Sequence, residues 1–281
     1  MELYAKTIEL LKTYQVKPKK GLSQNFLIDV QILNQIEKAV KIGKENSVLE
    51  IGAGLGFLTR ILAEKAKQVA ALEIDKDLYW ILSQELKDCK NLTLLQKDIL
   101  KFKMEDYVQG AKWIAAGNLP YHVSGGVLRW ALDHQEHFKE FYFMLQKEVA
   151  ERIAVKPGSK IYGVLSLLCQ YFTAPEILFT VPKDSFLPKP QVDSAFVKMT
   201  VRPSKVTSNP FFVPLVKHSF AQRRKTIYNN LKSWGILKPE QWVKIFRDLN
   251  LHEKARAEEI SLEIYIEMAD LLCKNFPKKK P

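Results

Sequence analysis

The chain has 281 residues, 47% of them hydrophobic and 26% charged, enough for one large domain and a small one. Its 43 basic and 31 acidic residues give a formal charge of +12, which favours a polyanionic partner such as nucleic acid, or an anionic membrane surface. Cys89, Cys169 and Cys273 lie far apart without metal-ligand spacing, which argues against a disulfide scaffold and a metal site, and no apolar run is long enough to cross a bilayer.

Residues 3–14 read as a short amphipathic helix. Lys17-Pro18-Lys19-Lys20 is a basic patch, and Pro18 and Gly21 mark the stretch to Leu27 as loop. Asp29 is placed to cap a helix whose apolar positions are Ile32, Leu33, Ile36 and Val40. A buried strand over 48–51 then runs into the turn Gly52-Ala53-Gly54-Leu55-Gly56, a helix from Phe57, and a second strand ending in Glu73-Ile74-Asp75. Strand, glycine turn, helix, strand and acid form the opening half of a nucleotide-binding α/β unit. Glycines accept backbone angles that other residues resist, and the acid is placed to take ribose hydroxyls. Phe57 stands where a dinucleotide fingerprint wants its last glycine, and no triphosphate loop is present. A nucleoside with a non-phosphate tail therefore suits the turn better than a pyrophosphate. The bland alternative is a glycine-rich turn that binds nothing.

A helix over 77–86 and a third strand over 92–96 follow, with Asp98 at the strand's C-terminal end, where such sheets bind ligands. After a connector at 104–108, a fourth strand at 113–117 enters Asn118-Leu119-Pro120-Tyr121. Pro120 has no N–H, which can leave the Leu119 carbonyl unpaired. With the Asn118 side chain it offers two acceptors, which suit an exocyclic amino group, and Tyr121 offers a flat face to a base. The alternative is a turn that ends a strand, with Tyr121 in the core.

A helix is predicted over 124–132 with Ser124 as its cap, a fifth strand over 141–145, and helices over 148–154 and 164–172. Strands over 177–181 and 194–201 flank a stiff, proline-rich loop at 182–190 and suggest an antiparallel hairpin at the sheet edge. The expected fold is α/β, with a Rossmann-like seven-stranded sheet whose last strand is antiparallel. A linker at 203–210 leads to three apolar helical stripes, and 276–281 reads as a frayed tail. The expected domains are 1–203, with a basic arm at 1–27, and an all-helical 204–281. Because Met1 to Lys6 lacks a signal-peptide core, a soluble cytoplasmic protein is expected.

These motifs together resemble one family. Gly21-Leu22-Ser23-Gln24-Asn25-Phe26-Leu27, Glu50 to Gly56, Leu72 to Asp75, Asp98-Ile99, Asn118 to Tyr121, Tyr162-Gly163, Phe186 to Ser194 and Phe220 to Ile227 are similar to those of the S-adenosylmethionine-dependent ribosomal RNA adenine N6-dimethyltransferases, the KsgA/RsmA group. The glycine turn identifies only a class I methyltransferase-like fold. The tetrapeptide narrows it to amino-group methylation, and the late motifs are the more specific signal. The resemblance implies that Gln24, Asn25 and Leu27 close over the cofactor S-adenosylmethionine. It places Gly52 and Gly54 against the cofactor, Glu73 and Ile74 at its ribose, and Asp98 and Ile99 around its adenine. Asn118 and the Leu119 carbonyl would hold the target amino group, with Pro120 stiffening the turn and Tyr121 and Phe186 stacking on the base. It further implies two methyl groups on N6 of each of two adjacent adenosines near the 3′ end of small-subunit rRNA; the expected partner is that rRNA in a 30S-like assembly intermediate, and a monomer is expected. Lys17, Lys19, Lys20, Lys183, Lys189, Arg223, Arg224 and Lys225 are the expected phosphate contacts.

Three positions depart from the family's pattern. His122 stands where Asn is common, Ser23 where Gly is usual, and Val164 where a basic residue is common. Alternatives are the related methyltransferases of large-subunit rRNA, a non-catalytic assembly factor, and a nicotinamide oxidoreductase, which Phe57 disfavours.

Overall fold

A computed structural model of the protein describes residues 2–107, 111–203 and 208–275. The end of the expected connector at Val108, most of the linker (204–207) and the tail lie outside the described residues.

Helix α1 (Glu2–Thr13) buries Leu3, Thr7 and Leu10 on one face. Strand β1 (Phe26–Leu27) follows, and then α2 (Val30–Ala39), where the Asp29 carboxylate accepts the N–H groups of Gln31 and Ile32. This cap satisfies two otherwise orphaned donors. The alternating units are β2 (Ser47–Ile51), α3 (Phe57–Lys65), β3 (Gln68–Leu72), α4 (Lys76–Glu85), β4 (Leu92–Leu95), β5 (Trp113–Asn118), α5 (Ser124–Asp133) and β6 (Phe138–Gln146). Val48, Leu49, Ile114 and Ala115 are wholly buried, as expected of parallel strands covered on both faces. The remaining elements are α6 (Lys147–Ala154), α7 (Val164–Phe172), β7 (Thr173–Val181), β8 (Phe186–Leu187), β9 (Ser194–Val201), α8 (Phe212–Ser219), α9 (Ile227–Trp234), α10 (Pro239–Asp248) and α11 (Leu262–Asn275).

The main sheet has seven strands in the order β4-β3-β2-β5-β6-β9-β7. Strands β2 to β6 pair in parallel, and β9 runs antiparallel to β6 from Glu140↔Thr200 to Gln146↔Ser194. This is the Rossmann-like class I methyltransferase architecture. The chain order reverses at β2, whose neighbours are β3 and β5, so the carboxyl ends of β2, β3, β4 and β5 open onto one crevice. A separate ribbon joins β1 to β8, with Phe26 opposite Leu187 and Leu27 opposite Phe186. Both of its strands lie in stretches read from sequence as loop. Ser124 does not cap α5 through its side chain; the N-cap is Val123, and the Ser124 hydroxyl donates to the Tyr121 carbonyl at 3.0 Å.

The chain forms two compact units, Met1–Ala150 with Glu176–Val201, and Glu151–Pro175 with Arg202–Pro281. The second begins near the expected boundary but also takes 151–175, which the sequence reading placed in the first domain. The reason is packing within the second unit. Tyr171 on α7 stacks on Phe212 of α8, with ring centroids 3.5 Å apart and planes 8° apart, and Arg202 Nε donates to the carbonyls of Gln170 and Thr173. Trp242, Phe246, Tyr265 and Met268 are buried in the same unit. The apolar stripe expected across 212–231 is split, because the helices stop at Ser219 and restart at Ile227, where the Thr226 side chain caps α9.

Candidate active site

The crevice is a cleft of about 190 Å³ within the first unit, lined by residues from the arm, the glycine turn, the ends of β3 and β4, and the tetrapeptide. The turn is pinned to β3, since the Gly52 and Ala53 N–H groups both donate to the Leu72 carbonyl, at 2.9 and 3.1 Å. Gly52 and Gly54 have φ of +75° and +61°, which side-chain-bearing residues rarely adopt. One strand further, a Cβ on Gly117 would lie 2.3 Å from the Ile51 carbonyl oxygen. Glycine there lets β5 approach β2 and brings Asn118 up to the turn.

Glu73 is 7% exposed, yet its carboxylate is well held. Oε2 accepts the Gly54 N–H and Oε1 the Asp75 N–H, each at 2.9 Å. Burial pushes the Glu73 carboxyl upward, and these N–H groups oppose the shift. Each oxygen retains accepting capacity for a hydroxyl. Deeper still, Glu50 is 1% exposed, and its Oε2 has no hydrogen-bond partner. Burial, reinforced by the Glu73 charge, pushes Glu50 up to about 8. Asp98 caps the short turn Ile99–Lys101 by accepting the Leu100 N–H at 2.9 Å, and Ile99 and the exposed Ile74 form apolar lining beside it. Among the described residues three carboxyl groups line the cleft, with Lys97 as the lysine beside them, and burial pushes two of the three, Glu50 and Glu73, toward their protonated forms. A cation bound beside them would favour their charged forms and offset that shift. The positive-φ turn, the paired acceptors of Glu73 and the unpartnered Glu50 oxygen all fit a cofactor that carries a sulfonium and an ammonium.

The tetrapeptide closes the other side. Asn118 Nδ2 donates to the Asn25 carbonyl at 3.0 Å, which fixes the amide with Oδ1 as the free acceptor. The Leu119 N–H is taken by the Met144 carbonyl at 3.2 Å, and no donor among the described residues reaches the Leu119 carbonyl. The two expected acceptors are therefore both unpartnered at the cleft. Tyr121 is half-buried, its hydroxyl 2.5 Å from the Oγ of the fully buried Ser194. Burial raises the Tyr121 phenol above its ordinary value.

Two expectations need correction. Phe186 is 2% exposed and packs in the core that contains Met144 and Phe196, so it does not line the cleft or present a ring to a base. Pairing of β8 with β1 turns Phe186 inward and leaves Leu187 half-exposed. Lys19 is not a free cation: its Nζ lies 2.7 Å from Asp75 Oδ1 and 2.7 Å from Asp77 Oδ2. Gln24 joins the same group, its Nε2 donating to Asp75 Oδ2 and its Oε1 accepting the Lys19 N–H, both at 2.7 Å. Gln24, Asn25 and Leu27 line the cleft.

Among the other cations, Lys17, Lys20, Arg224 and Lys225 are exposed and Lys183 is half-buried. Lys189 is paired with Asp184, and Arg223 donates to the Lys160 carbonyl at 2.9 Å. Sequence reasoning gave no role to Glu50 or Ser194. Both lie within quoted motifs, and a buried carboxyl at the end of an apolar strand is the signal that could have marked Glu50.

Fold and site together define an S-adenosylmethionine-dependent class I methyltransferase. The family model for ribosomal RNA adenine dimethylase matches residues 15–274, and the chain belongs to that family. It is 39% identical over 278 residues to a ribosomal RNA small subunit methyltransferase A of Bacillus mycoides, covering 95% of each chain, and likewise to one of Bacillus anthracis. A dimethyladenosine transferase from Plasmodium falciparum superimposes with a TM-score of 0.74 at 25% identity, covering 89% of this chain and 96% of the other. The 23S rRNA methyltransferase ErmE shares the fold, with a TM-score of 0.69 at 21% identity over 88% of this chain and 98% of that one.

Proposed function

We propose that this protein transfers methyl groups from S-adenosylmethionine to N6 of two adjacent adenosines near the 3′ end of small-subunit rRNA. The products are N6,N6-dimethyladenosines, made by a cytoplasmic monomer on a 30S-like assembly intermediate. The observation that carries the reading is the pair of unpartnered acceptors, Asn118 Oδ1 and the Leu119 carbonyl, beside the glycine turn. The likeness to the Bacillus ribosomal RNA small subunit methyltransferases A supports the small subunit as the target.

The cofactor supplies an activated methyl group on a sulfonium. Glu73 accepts the ribose hydroxyls, Gly52 and Gly54 offer bare main chain, Asp98 and Ile99 hold the adenine, and Gln24, Asn25 and Leu27 cover it. Asn118 and Leu119 accept the two N6 hydrogens of the target and so favour a pyramidal nitrogen with its lone pair aimed outward. The same carbonyl dipoles stabilise the positive charge that grows on that nitrogen. Tyr121, held by Ser194, stacks on the extruded base and offsets part of the unstacking cost. No strong base is needed, because the methylated ammonium is a strong acid. Lys17, Lys20, Lys183, Arg224 and Lys225 contact phosphates, so affinity falls as salt rises.

The test is methyl transfer from labelled cofactor to small ribosomal subunits lacking the modification, followed by nucleotide-resolution mapping. Two adjacent dimethylated adenosines near the 3′ end are expected. Modification of large-subunit rRNA instead, or none, overturns the reading.

A further inference from the structure

The Lys19 ammonium is bound to the wrong partner for a phosphate contact. It bridges Asp75 and Asp77 at 2.7 Å each, while Gln24 takes the other Asp75 oxygen. The Asp75 side chain is wholly buried, and that of Lys19 is 40% exposed. Burial alone would raise the Asp75 carboxyl, but Lys19, the Asp77 N–H and Gln24 outweigh it and hold Asp75 below its ordinary range. The Asp75 main chain then donates to Glu73 Oε1, the oxygen opposite the one held by Gly54. An unbroken series of bonds therefore runs from an arm lysine to the cleft acid.

We infer that Lys19 is a positioning residue of the cofactor site, a latch that clamps the arm onto Asp75 and Asp77 and thereby sets the orientation of Glu73. The inference rests on the reading of the cleft as the S-adenosylmethionine site. Lys19 touches neither the cleft nor a reacting atom; it works through Asp75. Three consequences follow from its geometry. The latch fixes Gln24 through both of its amide atoms, so the arm residues that line the cleft are held from the same point. Without Lys19, Asp75 is a buried carboxylate short of its charge partner, which favours a shift of the 73–75 turn. And because Lys19 is committed to two carboxylates, it adds nothing to phosphate affinity.

The test separates latch from phosphate contact. S-adenosylmethionine binding is measured by calorimetry, and RNA affinity across a salt titration, for the wild type, Lys19→Met and Lys19→Arg. Lys19→Met is expected to weaken cofactor binding about tenfold, the scale of one lost charge-assisted hydrogen bond. Lys19→Arg restores it to within about twofold, since the guanidinium also bridges two carboxylates. The RNA salt slope is unchanged. Unaltered cofactor affinity in Lys19→Met, failure of Lys19→Arg to restore it, or a salt slope shallower by about one overturns the latch. Should Lys19→Met not unfold cooperatively, Asp77→Asn decides: cofactor affinity about threefold weaker supports the latch, and wild-type affinity overturns it. Absence of cofactor binding by the wild type would instead overturn the underlying reading of the cleft.

Discussion

Asn118 Nδ2 lies 3.0 Å from the Asn25 carbonyl oxygen, so the arm sets the orientation of the amide at the end of β5. If the amide were turned over, two oxygens would face each other. The hydrogen bond thus decides which Asn118 atom is left as an acceptor.

Replacing Asn118 with Ala removes one of the two acceptors proposed to act in the transition state. Methyl transfer is expected to fall by about 10²-fold or more in kcat, the scale seen when one preorganised polar group is lost. RNA affinity in a gel-shift titration should match wild type. Asn118→Asp should be similarly impaired, since its second oxygen has nothing to donate to Asn25.

Tyr121→Phe keeps the ring and loses the bond to Ser194. A stability loss of about 1–2 kcal/mol is expected by thermal unfolding, because Ser194 is buried and left unpaired. Activity should fall far less than in Tyr121→Ala, which removes the stacking face worth about 1–3 kcal/mol. Equal loss in both would tie the role to the hydroxyl.

Glu50 gives the unliganded protein a defined pH response. Its pKa is about 8 when folded and near the ordinary 4.5 when unfolded, so between these values the folded state holds the extra proton. Stability is full below pH 4.5 on this account, falls as pH rises toward 8, and is flat above it. The loss is on the order of 4 kcal/mol, and Glu73 adds to it in the same direction. Glu50→Gln should flatten the fall in thermal midpoint between pH 5 and 8. An equal slope in the variant would move the effect to other groups.

Ser23 stands where the family usually has glycine, and its φ is +48° with ψ +39°. A left-handed residue that bears a side chain costs about 1–2 kcal/mol, partly offset by the greater chain entropy of glycine. Ser23→Gly is therefore expected to protect the arm amides from hydrogen exchange. Gly117→Ala should do the reverse to the sheet. Its new methyl would overlap the Ile51 carbonyl, so a loss of about 3 kcal/mol or more is expected by denaturant unfolding.

The sheet and its site were legible because buried parallel strands leave apolar runs, and the motifs sit at the strand ends. Val48 to Ile51, Val69 to Leu72 and Trp113 to Gly117 carry such runs, and the acid, glycine turn and tetrapeptide follow directly. The β1–β8 ribbon was not legible. Each of its strands is two residues long, too short for alternation to show, and its partners lie 161 positions apart in the register Phe26↔Leu187. The inward turn of Phe186 and the capture of Lys19 were hidden for the same reason: both depend on what lies opposite, not on neighbours in the chain. Residues 151–175 read as part of the first domain because their helix carries no boundary signal. Contacts across the chain reveal where they belong, chiefly the stacking of Tyr171 on Phe212 and the bonds of Arg202 to Gln170 and Thr173.

The ribbon also ties the arm to the proline-rich segment. The Ile28 N–H donates to the Ser185 carbonyl at 2.9 Å, and the Ser185 hydroxyl to Asp29 at 3.0 Å, so two stretches far apart in the chain are fastened to each other. Dimethylation spends one donor molecule per methyl. Each exchange of a spent donor for a fresh one thus takes place beside a wall that is stapled to the far end of the catalytic unit by bonds that never meet the base.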